Sequence, residues 1–166
     1  MSSLRGHSNA LLLGKLVANL QSLELALRAF LVNDEIRSGG SFPQSADSYD
    51  MDEGNVVALN AFTNWDTLRE LTSRYNANSR ISADLRVDET LADIRDAVAH
   101  ERVSASTPSG QLKLLKFSKP ERNEKYVKVI FSVTMTKEWF NLQIRRVHDA
   151  VLRVSKANEE LQNSRL

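Results

Sequence analysis

The sequence contains no cysteine and only three histidines. Without cysteine, disulfide bonds, thiolate catalysis and thiolate metal sites are all excluded. The histidines, His7, His100 and His148, lie far apart in the chain. Because a catalytic zinc ion needs three protein ligands held together, this spacing argues against such a site. We therefore expect no metal ion and no other cofactor.

An excess of charge of one sign is also lacking, and so is a long apolar run. The 166 residues carry a formal net charge of +1, so any binding to nucleic acid must depend on a local patch. We find no apolar run that approaches the roughly 18 residues of a membrane span. The N-terminus also lacks a signal-peptide core followed by a small-residue cleavage site. From these absences we expect a cytoplasmic protein that does not interact with a membrane.

The residues that are present have the composition of a globular protein, with 42% hydrophobic and 26% charged residues. The chain is long enough to bury a hydrophobic core. It contains no visible internal repeat and no linker that would separate two domains. We therefore predict a single domain over residues 1–166.

Most of the apolar residues recur at helical spacing, which predicts a mainly α fold. The first helix is predicted over residues 8–31 and the second over residues 65–75, with Asn64 as its N-cap. A third helix is predicted over residues 89–101. The C-terminal helix, over residues 137–162, has apolar residues that step by four and three, the spacing of a narrow packing seam. Such a seam either belongs to the core or faces a second copy of the chain.

One carboxylate interrupts the apolar stripe of the first helix. Glu24 falls on the same face as Leu20 and Leu27. A carboxylate in that position costs free energy unless it is paired or hydrogen-bonded. Glu24 is therefore either a structural partner of an arginine, which is the more common situation, or a group at the mouth of a site.

Between the first two helices the composition turns to Gly, Ser, Asp and a single Pro. The run Ser38-Gly39-Gly40-Ser41, followed by Pro43, is typical of a loop. Several acidic residues make the stretch locally negative. We predict that residues 34–58 form an acidic, flexible insertion.

The periodicity changes to two after the third helix. Alternation of Val127, Val129, Phe131 and Val133 with their neighbours predicts a strand with one buried face. Its antiparallel partner is expected around Leu112, so that residues 111–134 form a β-hairpin inserted before the last helix. A short third strand is predicted near residues 103–106.

The segment that brings the most chemistry together is the run Arg95-Asp96-Ala97-Val98-Ala99-His100 at the end of the third helix. Leu91, Ile94 and Val98 are predicted to define the buried face of that helix. Asp96 and His100, four residues apart, then lie side by side on the opposite face. Arg95 lies at the boundary and is long enough to reach His100. A guanidinium can hold two phosphate oxygens, and the imidazole proton moves near neutral pH.

This motif consists of an arginine, a polar residue directly after it, and a histidine that four residues separate from the arginine. It resembles the motif of the HEPN superfamily. The first helix, with residues 23–28 (LELALR), also resembles the leading helix of that superfamily. The resemblance extends over the helical core and leaves out the acidic insertion. It implies a HEPN-like helical bundle of about four main helices, with the hairpin as an addition. Asp96 is a departure, because the polar position is often asparagine.

The resemblance also implies a function. Many HEPN proteins are metal-independent ribonucleases, often of toxin–antitoxin or phage-defence systems, and they commonly act as dimers with two motifs facing a cleft. The resemblance therefore implies an endoribonuclease or an RNA-binding protein of such a system. By this resemblance Arg95 would bind the scissile phosphate, His100 would move protons, and Asp96 would orient the imidazole. The partners implied are a second copy, RNA and an antitoxin-type protein. The alternative is a non-catalytic helical dimerisation or interaction module, in which the three side chains form a polar network at an interface.

A second feature bears on RNA. Six basic residues fall on the predicted hairpin and its loop, namely Lys113, Lys116, Lys119, Arg122, Lys125 and Lys128. Such a cluster could track a phosphate backbone. Charged residues on edge strands also protect a hairpin from aggregation, which is the more common reason for them. Both interpretations stay open at this point, as they do for Tyr126 and Trp139, which could stack on bases or belong to the core.

Overall fold

A computed structural model describes residues 2–39, 52–100, 102–105, 111–120 and 125–163. Its four α-helices are α1 (Ser2–Arg37), α2 (Leu68–Ala77), α3 (Thr90–His100) and α4 (Lys137–Asn163). Its three strands are β1 (Arg102–Ala105), β2 (Leu112–Phe117) and β3 (Val129–Met135). A short 3-10 helix, Ala83–Leu85, precedes α3. The prediction of a mainly helical fold with a small β insertion before the last helix is confirmed.

The chain forms two compact units. The first unit contains residues 1–21 and 89–149, and the second contains residues 22–88 and 150–166. Each of the two long helices, α1 and α4, therefore contributes a part to both units. The candidate site discussed below lies in the first unit. Whether the chain acts as one domain, as the sequence suggests, stays a prediction.

Helix α1 is longer than predicted and includes the first residues of the expected insertion. It continues through residues 34–37 and ends at Arg37, two residues before Gly39. Gly39 has a φ of 88°, a left-handed conformation that glycine adopts readily at a helix C-terminus. The prediction that residues 34–37 belong to a loop is therefore wrong. Residues 52–58 lie outside regular structure, and residues 40–51 of the predicted flexible insertion lie outside the described residues.

By length and composition, α1 is also the one described helix that could cross a membrane, over Ser8–Arg37. The core helix of a soluble protein and a signal sequence meet the same criterion. Leu16, Leu23 and Leu27 of this helix are fully buried. The expectation that no apolar stretch approaches the length of a membrane span is therefore not met by α1, and the cytoplasmic localisation stays a prediction.

Helix α2 begins later than predicted. Its N-cap is Thr67, whose hydroxyl accepts a hydrogen bond from the Glu70 N–H, while the Glu70 carboxylate accepts one from the Thr67 N–H. This reciprocal pair is a capping box, and it satisfies two N–H groups that the helix leaves open. Asn64 is not the N-cap, because its side-chain oxygen accepts hydrogen bonds from Asp66 and from Arg28 of α1. Trp65 lies outside the helix and is 97% exposed.

The core of the second unit contains an aromatic pair. The rings of Phe30 and Tyr75 pack edge to face, with centroids 4.9 Å apart. The Tyr75 hydroxyl donates to the carbonyl of Leu85, which satisfies the polar end of a buried side chain. Burial raises the pKa of this phenol.

The three strands form one antiparallel sheet in the order β1-β2-β3, so the predicted hairpin and the predicted third strand are both confirmed. Leu114 pairs with Val133 and Leu112 with Met135. The sheet contacts α3 through β1 and β2. For that reason the outer strand β3 is not buried along one face as predicted: Val129 and Phe131 are exposed, Val133 is half-buried and Met135 is buried.

Helix α4 begins as predicted, after Thr136, whose hydroxyl accepts a hydrogen bond from the Trp139 N–H. Its seam is buried at Phe140, Val147 and Val154. One polar residue, Gln143, lies within this seam and is also buried. A buried polar group needs a hydrogen-bond partner. The side-chain oxygen of Gln143 accepts a hydrogen bond from Arg146.

Candidate functional site

The motif residues of helix α3 lie between its buried positions, because Arg95 follows the buried Leu91 by four residues and the buried Ala92 by three. Leu91, Ala92 and Ala97 are buried, whereas the predicted Ile94 and Val98 are only half-buried. The sheet contacts this helix through β1 and β2. The buried positions therefore do not form the single stripe that the sequence predicted. Arg95 and Asp96 stay half-buried and His100 is exposed, as an accessible site requires.

The structure brings Arg95 and His100 together. The Arg95 Nη1 atom lies 3.2 Å from the His100 Nε2 atom. Because a guanidinium only donates hydrogen bonds, Nε2 must accept, and the ring proton must be on Nδ1. The contact therefore requires a neutral imidazole. This form of histidine can take up a proton, and doing so would end its hydrogen bond with Arg95.

Asp96 contacts Arg95 and not the histidine. Its Oδ1 atom lies 3.3 Å from Arg95 Nη1. The HEPN resemblance implied that Asp96 orients the imidazole of His100. Among the described residues, however, no hydrogen bond joins Asp96 to His100. The carboxylate partly offsets the charge of Arg95. Both groups are partly in water, where such a pair contributes little to stability and is readily exchanged for another anion.

The arrangement combines an anion-binding group with a proton acceptor on an accessible helix face. A guanidinium forms paired hydrogen bonds with phosphate oxygens. An imidazole next to it can accept a proton from a group on the same ligand. Within the described residues, no group of three or more His, Asp or Glu side chains is placed to hold a metal ion.

Two of the six predicted RNA-binding residues lie on opposite faces of the sheet. Lys113 and Lys116 are separated by three positions on β2, and alternation along a strand directs them to opposite faces of the sheet. Lys116 lines a cavity, as described below. The remaining described members, Lys119, Lys125 and Lys128, are exposed. Arg122 lies outside the described residues.

Beside α3 lies a cavity that was not predicted from the sequence. It has a volume of about 540 Å³ and lies between α3, strands β2 and β3, and the first turns of α4. Trp139, Gln143 and Arg146 line it from α4. The signal that could have revealed it is Gln143, a polar residue at a buried position of the helical seam. Tyr126, the other aromatic residue considered for base stacking, is exposed and is not among the residues that line the cavity.

Comparisons with known proteins leave the family open. No protein-family model matches the chain, and neither a curated protein nor a solved structure shows significant similarity to it. Membership of the HEPN superfamily therefore stays a prediction that depends on the Arg95–His100 motif and on the helical context around it.

Proposed function

We propose that this chain is a HEPN-like, metal-independent endoribonuclease that acts as a homodimer, with Arg95 and His100 at its centre. The observation that supports the proposal is the 3.2 Å contact between the guanidinium of Arg95 and the imidazole of His100 on an accessible helix face. The toxin-type or defence role, an antitoxin-type partner and the cytoplasmic location are predictions that come with the resemblance.

In this proposal Arg95 exchanges its contact with Asp96 for the oxygens of the scissile phosphate. The neutral imidazole of His100 takes the proton of the neighbouring ribose 2′-hydroxyl. The 2′-oxygen then forms a bond with phosphorus as the bond to the 5′-oxygen breaks, and the imidazolium returns the proton to that oxygen. Arg95 stabilises the negative charge that builds on the phosphate oxygens. The reaction yields a 2′,3′-cyclic phosphate and a 5′-hydroxyl end.

The test is cleavage of single-stranded and structured RNA in the presence of a metal chelator. We expect His100→Ala to reduce the rate by about 10²-fold or more, the usual contribution of a general acid–base group. His148→Ala is a matched control, because His148 is an exposed histidine on α4. It should leave the rate unchanged. Circular dichroism checks that all variants fold.

Cleavage that survives His100→Ala would reject the catalytic assignment. Cleavage lost equally in His148→Ala would point to a general effect of removing an imidazole. A chemical check is available as well, because 5′-phosphate products would contradict attack by the 2′-hydroxyl.

The alternative, a non-catalytic interaction module, is favoured by a different observation. Strand β3 is an edge of the sheet, and its residues Val129, Ile130 and Phe131 are exposed. An exposed apolar edge strand is a template for pairing with another chain. If this function is the correct one, Ile130→Lys will reduce the mass measured by light scattering. Arg95→Ala will then weaken association rather than any reaction, and the wild type will not cleave RNA.

A further inference from the structure

The cavity beside α3 has the size and the walls of a small-molecule site. Its volume of about 540 Å³ falls within the range of roughly 300–1,000 Å³ that is usual for ligand pockets. Most of its wall is apolar. The apolar lining residues are Ile94, Ala97, Ile130, Phe131, Val133 and Trp139. Two of these, Phe131 and Trp139, are aromatic, and aromatic rings stack well on flat molecules.

The polar groups of the cavity are few and are held in place. Arg146 donates one hydrogen bond of 2.6 Å to Gln143 Oε1 and another of 2.6 Å to Thr90 Oγ1. Gln143 is only 5% exposed, so this anchor of the guanidinium is rigid. Both of these acceptors are neutral groups. A polar group fixed at the border of an apolar cavity is the usual means of orienting a ligand.

The charges of the lining favour a single negative charge on the ligand. Two cations, Lys116 and Arg146, stand against one carboxylate, Asp93, so the lining carries one formal positive charge. Lys116 reaches the cavity from β2 because it shares a sheet face with Leu114, whereas Lys113 belongs to the opposite face. A monoanion would balance this charge, whereas a neutral molecule would not.

We propose that this cavity binds a small monoanionic molecule with an aromatic body, of the aryl carboxylate or aryl sulfonate class. The ring system lies against Trp139 and Phe131, and the acidic group faces Lys116 and Arg146. Thr90, Asp93, Ile94 and Ala97 line the site from α3, and Arg95 and His100 are not among its lining residues. It does not depend on RNA cleavage and can be tested separately from it.

The test uses Trp139 as a reporter. The chain has two tryptophans, and the other one, Trp65, is almost fully exposed in the second unit. The variant Trp65→Phe therefore leaves a single tryptophan in the cavity wall. The probe is 1-anilinonaphthalene-8-sulfonate, a monoanionic aryl sulfonate, and its matched control is N-phenyl-1-naphthylamine, the same ring system without the charge. We expect saturable quenching of Trp139 by both, with the sulfonate bound about tenfold more tightly.

Two lysine variants, both made in the Trp65→Phe background, then test where the acidic group of the ligand binds. Lys116→Gln should weaken the binding of the sulfonate about tenfold and leave the affinity for the neutral probe unchanged. Lys113→Gln, on the opposite face of the same strand, should change neither. Val133→Phe should fill the cavity and weaken both probes. If that variant does not fold, the lysine pair still decides the question.

Three results would overturn the proposal. The first is equal affinity for the charged and the neutral probe with no effect of Lys116→Gln. The second is probe fluorescence without quenching of Trp139, which would place the probe elsewhere. The third is probe binding that disappears as the protein concentration rises and dimers form, since a second copy would then cover the cavity.

Discussion

Two arginines of this chain each lie on a helix beside a carboxylate, but their surroundings differ. Arg28 of α1 has a side chain that is 13% exposed and an ion pair of 3.1 Å with Glu24 in its own helix. Its guanidinium also donates to three backbone carbonyls of the segment before α2, those of Ala61, Asn64 and Asp66. The donors of this one side chain thus hold a distant stretch of backbone against α1.

Arg95 of α3 has a side chain that is 30% exposed and only local contacts. In the described part of the chain it bonds to Asp96 and to His100, both of its own helix. Neither of these two contacts holds another segment in place. The comparison shows that an arginine–carboxylate pair does not by itself indicate a site. An arginine whose donors satisfy distant backbone carbonyls belongs to the fold, whereas one with exposed, local contacts is available to a ligand.

The largest effect is expected from removing Arg28. Arg28→Ala leaves the partly buried Glu24 and three carbonyls without their donor, which should reduce the free energy of unfolding by about 3 kcal/mol. Urea denaturation followed by circular dichroism measures the loss. Arg28→Lys should recover only part of it, because an ammonium group cannot reproduce the planar set of five donors. The exposed Arg145→Ala is the control, and equal stability of Arg28→Ala and this control would contradict a structural role for Arg28.

A smaller effect is expected one step further along the same segment, at the start of α2. Thr67→Ala removes the hydroxyl of the capping box and should cost about 1 kcal/mol. Thr136→Ala, which removes the equivalent group at the start of α4, should cost a similar amount because its hydroxyl also accepts a helical N–H. Equilibrium unfolding in urea compares both with the wild type. If Thr67→Ala has wild-type stability, the Arg28 contacts alone define the start of α2.

The capping box also predicts a pH dependence. Hydrogen bonds from the Thr67 N–H and then from its hydroxyl lower the pKa of the Glu70 carboxyl. A group whose pKa is lower in the folded state stabilises the fold above its unfolded pKa and loses this contribution as the pH falls through its folded pKa. The stability lost between pH 7 and about pH 3 should therefore be smaller in Glu70→Gln. The exposed Glu159→Gln is the control, and an unchanged acid profile in Glu70→Gln would contradict the prediction.

The smallest effect on stability is expected at Arg95. Because its ion pair is partly in water and local, Arg95→Ala should change the free energy of unfolding by no more than about 0.5 kcal/mol. The same variant should lose RNA cleavage under the proposed function. A large destabilisation of this variant would show that Arg95 belongs to the fold, like Arg28, and would remove the distinction between the two arginines.

Periodicity was sufficient to predict much of the fold. The apolar steps of α4 and the N-cap Thr136 appear where the sequence placed them, and the alternation around Val129 correctly predicted a strand. The predicted start of α2 was wrong because Asn64 and Thr67 are both good N-cap residues. Which of them caps the helix depends on Arg28, which is distant in sequence and donates to the Asn64 side chain. The exposure of Val129 and Phe131 on β3 was not predicted. Alternation indicates a strand, but it does not show whether another layer covers the apolar face of that strand.

For the candidate site, the spacing of Arg95 and His100 was enough to predict that their side chains meet, because both belong to one helix and local geometry determines the distance. The tertiary structure decided everything that depends on residues far apart in the chain. It gave Glu24 a structural partner, separated Lys113 from Lys116 across a sheet, and assembled a cavity around Gln143 from two helices and two strands. The physical reason is that helical spacing acts over a few residues, whereas burial and cavities arise from packing between elements.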